Sequence, residues 1–477
     1  MRQANLLTEL AFNAVGAGNW RLTELCGLLQ QRLTFQHGFT VHSIVPVMMP
    51  SVRLRNEKKF KEVFERTEIS EVAMQRIAPN SPDRARCIIM LHGTVFHLNR
   101  PFHDSLDPLA NVHKIFLSVG NMEPAFIAAM IYTYCYLSVG LSLSPLESDV
   151  SNYLRLATQF NMPPSLQVVF QMFHQTILNL QGEGYDMKNH PASLVGDVMD
   201  EDDSLIQMKA SSQYIPTLRD LSSSRLMLAC VFNDYNAMQL NLDLSVGIEF
   251  KDPLTARIGF RALYTALSIY FLLGVQGRAN SGSGGGSKHV GPDVPKINKM
   301  KAKMYLKVAK EILRFHEATV KDGNVNAFPA LLLMKAAKAQ DEGAYGKAIV
   351  ACGRTGLMHL DAIANEQLAR LILRKTGDNP QPKDHSVIEN YLVRALELYE
   401  DWGATGKVSQ LKSEFEFLAS SRRSKGTTTL KARTRFDARA STMLERVNLA
   451  DVIAEGNAAT ASERASSRPP STIVAAV

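Results

Sequence analysis

A chain of 477 residues that is 45% hydrophobic and 21% charged has the make-up of a folded protein and is too apolar for wholesale disorder. Its five cysteines stand singly at Cys26, Cys87, Cys135, Cys230 and Cys352, which excludes a zinc ribbon or a disulfide framework and points to a reducing, cytoplasmic setting. The formal charge of +7 is concentrated near the C-terminus, so a basic tail is the part suited to polyanions.

The first residues, MRQANLLTELAF, lack a basic n-region, a long apolar core and a small-residue cleavage site, so no secretory signal is expected. Helical periodicity begins over residues 5–15 and 21–33. The stretch 58–77 is charged and reads as a broken helix, whereas 83–98 is strongly amphipathic. Helices over 103–119, 123–139, 146–160 and 164–180 follow. The last opens on prolines, whose missing N–H would be unpaired in a first turn anyway. Residues 124–146 run for 23 positions without a charge, long enough for a bilayer. Tyr, Ser and Thr interrupt that run, and prolines bracket it in place of basic anchors. It reads as a buried helix, as does 262–277, and no transmembrane span is expected.

The polar interval 182–205 holds Asp197, Asp200, Glu201, Asp202 and Asp203. It lacks the alternating oxygen ligands, central glycine and final glutamate of a calcium loop, and reads as a solvated connector. Helices return over 212–238 and 252–273. The Gly/Ser-rich interval 277–295 is the best internal boundary. Its GSGGGSK is not a phosphate loop: Ser287 and His289 stand where glycine and Ser/Thr are needed, and no strand precedes it. Helices over 295–321, 327–342, 345–358, 361–375, 386–402 and 405–419 complete the pattern. Beyond Ser420 the periodicity decays, apart from a weak helix near 438–453. Arg422, Arg423, Lys425, Lys431, Arg433, Arg435 and Arg439 face only Asp437 there. These seven are the candidate contacts for nucleic acid or acidic lipid.

Amphipathic helices joined by short turns are the mark of an α-solenoid. The expected fold is all-α, a tetratricopeptide-like array of antiparallel helix pairs. It divides into an N-terminal array (1–276), a linker (277–295), C-terminal repeats (296–419) and a basic, mostly disordered tail (420–477), with a hinge near the linker. In GAYGKAI, Gly343 supplies a small turn residue, Tyr345 an aromatic and Ala348 a point of close helix approach. Tetratricopeptide repeats use this pattern for the same purpose. Leu392, Ala395, Leu396, Tyr399 and Trp402 form a stripe at helical spacing, and Gly403 is suited to closing that helix. Trp402 is therefore expected to pack on the next helix.

YLVRALELYEDWGATGKVSQL resembles the last repeat of the tetratricopeptide-like helical region in large predicted signalling ATPases. The resemblance rests on Tyr399, Trp402, Gly403, Ala404, Lys407 and Val408. NAFPALLLMKAAKAQDEGAYGKAI is similar to the preceding helix pair, and Ala364, Asn365 and Glu366 match an Ala-Asn-Glu helix. HGTVFHLNRPFHDSLDPL and ELCGLLQQRLTFQHGFTVHS resemble earlier repeats, the latter with its turn at His37 and Gly38. That family carries a kinase-like and an NTPase domain ahead of the helical region, with GAF and kinase or cyclase modules after it. No segment of this chain resembles those parts. The resemblance implies a regulatory array whose partners are other proteins, a signalling kinase or ATPase among them. It leaves open that the chain is a fragment or subunit of an ATP-dependent enzyme.

No HExxH, GxSxG or kinase signature appears, and the 12 histidines are dispersed. His92 and His97 would lie about 140° apart on one helix and share no face. No catalytic residue, metal ligand or cofactor is expected. The expected function is a non-catalytic scaffold for protein–protein interaction in signal transduction.

Overall fold

Helix starts follow capping chemistry in the structure, a computed structural model. It describes residues 2–16, 19–44, 59–77, 81–209, 213–246, 256–279, 294–376 and 382–420, with the single positions 51, 54, 57 and 211. Asn19, Ser81, Asp200, Asn298 and Asp341 each accept a backbone N–H from the first turn of the helix they precede. The described residues form nineteen α-helices, three short 3-10 segments and no strand.

In chain order the first helices are α1 (Arg2–Gly16), α2 (Trp20–His37), α3 (Phe60–Met74) and α4 (Pro82–Thr94). Next come α5 (Leu106–Ser118), α6 (Met122–Val139), α7 (Leu143–Gln159), α8 (Pro164–Gln181) and α9 (Glu201–Met208). The middle comprises α10 (Tyr214–Phe232), α11 (Tyr235–Val246), α12 (Ala256–Ala279) and α13 (Lys299–Lys321). The last six are α14 (Ala327–Ala339), α15 (Glu342–Thr355), α16 (Met358–Thr376), α17 (Pro382–Trp402), α18 (Thr405–Glu414) and α19 (Glu416–Ser420). Consecutive helices pair: α1 with α2, α5 with α6, α7 with α8, α10 with α11, α14 with α15, and α16 with α17. The architecture is an all-α, helical-repeat array.

Long-range packing closes this array on itself. Helix α12, apolar nearly all round, packs against α6, α10, α11, α13 and α14. Helix α18 returns to α8 and α10. That return needs glycine on both sides: a Cβ on Gly406 would lie 2.6 Å from the backbone nitrogen of Gly182. Thr405 Oγ1 donates to the Gln181 carbonyl across the same contact (2.5 Å). One continuous core therefore runs from Ala85 to Leu418, with residues from both sides of the 277–295 interval. Residues 280–293 of that interval, where a hinge is expected, lie outside the described residues. A second, smaller core lies beneath α1–α4. Helix α4 joins the two, giving Ala85 and Ile89 to the large core and Cys87, Met90 and Leu91 to the small one.

Several segments differ from their sequence pattern. The expected break in 58–77 is absent, and α3 runs unbroken. The 83–98 helix stops at Thr94 and tightens into a 3-10 turn at Phe96–Leu98. His92 and His97 are thus on different elements. The expected 212–238 helix is split at Asn233, which takes the left-handed conformation (φ 57°); asparagine tolerates this better than most residues. In the acidic connector Glu201 is buried: Arg225 Nε donates to its Oε2 (2.6 Å), as does the Leu194 backbone N–H (3.0 Å). Asp200 caps α9 through its side chain. Among the described residues no helix is long and apolar enough to cross a membrane. The linker motif 282–288 and the seven tail cations lie outside the described residues.

Candidate functional site

The Trp-Gly-Ala segment ends α17 at the meeting point of α16, α17 and α18. Gly403 has a positive φ of 91°, and its N–H donates to the Tyr399 carbonyl (3.1 Å), turning the chain directly into α18. Trp402 is fully buried, with its ring 5.5 Å from that of His359 on α16. Its indole nitrogen has no hydrogen-bond partner among the described residues. Ala404 is buried at the turn.

The chemically distinctive group beside this turn is an ion cluster. Glu366 on α16 is 1% exposed and Lys407 on α18 is 0% exposed. Lys407 Nζ donates to Glu366 Oε1 (2.8 Å) and to Gln410 Oε1 (2.9 Å). Arg370, one turn along α16, donates from Nε to the same carboxylate oxygen (2.9 Å). The Tyr399 hydroxyl donates to Glu366 Oε2 (2.9 Å), and Asn233 Nδ2 donates to Oε1 (2.7 Å). Arg370 then grips Glu414 at the end of α18 with both terminal nitrogens (2.6 and 2.5 Å). Gln367 donates to Asn233 Oδ1 (2.5 Å), and Gln410 donates to the Phe232 carbonyl (2.9 Å). Four elements, α10, α16, α17 and α18, are tied through one carboxylate.

Burial sets the electrostatics. It pulls the Lys407 ammonium below its ordinary value, and the Glu366 charge opposes that pull. At Arg370 burial acts in the same sense, but Glu414 and Glu366 more than offset it and hold the guanidinium charged. The Tyr399 phenol is raised by burial and by Glu366. Every member of the cluster points at another member. This arrangement clamps helices together, because buried charges persist only when mutually paired.

The buried histidines make a separate contribution. Burial, reinforced by the Arg100 charge, pushes His92 down to about 3, and burial alone does the same to His359. Unfolded imidazoles take up protons below about pH 6.5, whereas these two stay neutral in the folded chain. Their stabilisation is complete above that value and is lost as pH falls. Asp361 acts the other way: burial raises it to about 6, so the folded state gains from its proton in acid. At pH 5 each histidine costs about 2 kcal/mol and Asp361 returns about 1 kcal/mol. The urea midpoint should therefore fall between pH 7 and pH 5, and an unchanged midpoint would contradict the buried neutral imidazoles.

Near the N-terminus, α2 is amphipathic in the reverse of the usual sense. Thr23, Cys26 and Gln30 face inward, where Gln30 donates to the Ala4 carbonyl (3.0 Å) and to Thr8 Oγ1 (2.5 Å). Leu25, Leu28 and Leu29 face solvent at 52%, 53% and 41% exposure, and Phe35 reaches 80%. Leu6 on α1 and Ile69 and Val72 on α3 are also exposed. Contiguous exposed apolar residues of this kind, such as those of α2, mark contact sites.

Of the motif residues read from sequence, the structure brings Tyr399 and Lys407 onto one carboxylate, with Trp402, Gly403 and Ala404 forming the turn between them. Gly343, Tyr345 and Ala348 lie elsewhere, on α15, with Tyr345 and Ala348 fully buried in the seam with its neighbours. The polyanion contacts lie outside the described residues. Sequence reasoning missed Asn233, Arg370, Gln410 and Glu414. Only the i, i+4 spacing of Glu366 and Arg370 signalled the cluster. No family model, curated protein or solved structure matches the chain.

Proposed function

We propose that the protein is a non-catalytic helical-repeat scaffold that binds another protein through the outward apolar face of α1 and α2. The reversed amphipathicity of α2 carries this reading. Leucines at positions 25, 28 and 29 sit at helical spacing on the solvent side, the pattern by which an apolar helix of a partner is recognised. The clamp at Glu366 supports it as well, since a rigid array presents a fixed surface. A role in signal transduction, beside a kinase or ATPase, is what the resemblance of the Trp-Gly-Ala region adds.

Leu25→Asp, Leu28→Asp and Phe35→Asp combined test the surface. All three side chains are exposed, so melting should be unchanged, and partners cross-linked to the wild-type chain in its own cells should be lost. Retention of the same partners by the variant would overturn the assignment of this surface. ATP with magnesium should leave the melting temperature unchanged, and a clear rise would overturn the non-catalytic reading, because a ligand of the native state stabilises it.

A further inference from the structure

A partly open pocket of about 80 Å³ lies in the array, walled by the segment leaving α4, by Ser138 of α6, by α12, α13 and α14, and by the start of α16. Its apolar wall includes Phe102, Phe260, Leu263 and Leu360. None of the described residues lining it is Asp, Glu, Lys or Arg. Three histidines do line it: His97, His316 and His359, all more than nine-tenths buried. One ordered water needs on the order of 10–15 Å³ measured this way, so the space suits about six small heavy atoms, the size of one ring.

Most polar groups of the wall are spent on the wall itself. Asn326 donates to the His97 and Arg100 carbonyls (both 2.7 Å) and accepts from the Phe102 N–H (3.0 Å). Asn324 accepts from the Asn326 and Ala327 backbone N–H groups, and the Thr319 hydroxyl donates to the His316 carbonyl. Two of the three imidazoles differ, as does the Tyr264 hydroxyl, which has no hydrogen-bond partner among the described residues. His316 Nδ1 lies 3.0 Å from the Ile312 carbonyl, which only accepts. That nitrogen must therefore carry the proton, leaving Nε2 as an acceptor. His359 Nδ1 is turned to the backbone at Gly140 and has no partner among the described residues. Burial lowers both imidazoles and keeps them neutral, His359 down to about 3.

We propose that this pocket is a binding site for a small uncharged molecule of one aromatic ring bearing an O–H or N–H, which donates to His316 Nε2. The aromatic and aliphatic wall takes the ring. The absence of a charge among the described lining residues disfavours ionised ligands, since a charge buried without a counter-ion is costly.

Phenol is the probe, with toluene and benzoate as controls, followed by titration calorimetry and thermal shift on the full chain. Phenol should bind and raise the melting temperature. Toluene should bind roughly tenfold more weakly, the worth of one net hydrogen bond, and benzoate should not bind. His316→Phe should bring phenol to the level of toluene. Ala330→Leu, which projects into the pocket from α14, should abolish binding of both without lowering the melting temperature. No phenol binding at millimolar concentration overturns the proposal. So does equal binding of benzoate, or phenol affinity unchanged in Ala330→Leu. If His316→Phe fails to fold, the phenol-to-toluene ratio and the Ala330→Leu variant still decide.

Discussion

Glu366→Ala is expected to destabilise the protein by about 3–5 kcal/mol, the usual consequence of removing one partner of a buried ion pair. The carboxylate accepts from Lys407, Arg370, Asn233 and Tyr399. Arg370 keeps Glu414 after the substitution, but Lys407, fully enclosed, retains among the described residues only the Gln410 hydrogen bond and the face of the Tyr399 ring, neither carrying a compensating charge. Most of the loss is therefore the cost of an uncompensated ammonium. A double-mutant cycle isolates it. Lys407→Met in the Glu366→Ala background should recover part of the stability, with a coupling energy of at least about 1 kcal/mol between the two sites. Additive effects in urea denaturation would show that the pair does not act as a unit.

Trp402→Ala carries a comparable expected loss, about 3–5 kcal/mol, from removal of a fully buried aromatic and from the space it leaves. Trp402→Phe should be far milder. The indole N–H has no partner to lose among the described residues, and most of the ring contact with His359 survives. Equal losses for the two variants, read from thermal melting, would mean that the indole nitrogen matters more than the packing.

Helix existence was readable because burial along one side of a helix imposes a 3.6-residue period that short stretches of chain display by themselves. Trp402, Tyr399 and Leu392 stand on one stripe for that reason, and all three are fully buried. Gly403 was readable too, since a helix end needing a left-handed residue selects glycine. The split at Asn233 was not. Residues on both sides continue a helical pattern that hides the break, and the partners that hold the Asn233 side chain, Glu366 and Gln367, lie more than a hundred positions away. Lys407 was legible only as a member of the Trp-Gly-Ala motif, and its burial was not, because nothing local shows that α8 and α10 will cover it.

The sequence by itself determined the all-helical class, nearly every helix, and the turn at Trp402 and Gly403, because these depend on periodicity and backbone preference within a few residues. Only the tertiary structure decided that helices on both sides of the Gly/Ser-rich interval share one core. It alone brought Glu366, Lys407, Arg370 and Asn233 to a single point, gathered three histidines around one pocket, and turned the leucines of α2 outward. Each of these depends on which distant surfaces meet, and local periodicity holds no record of that.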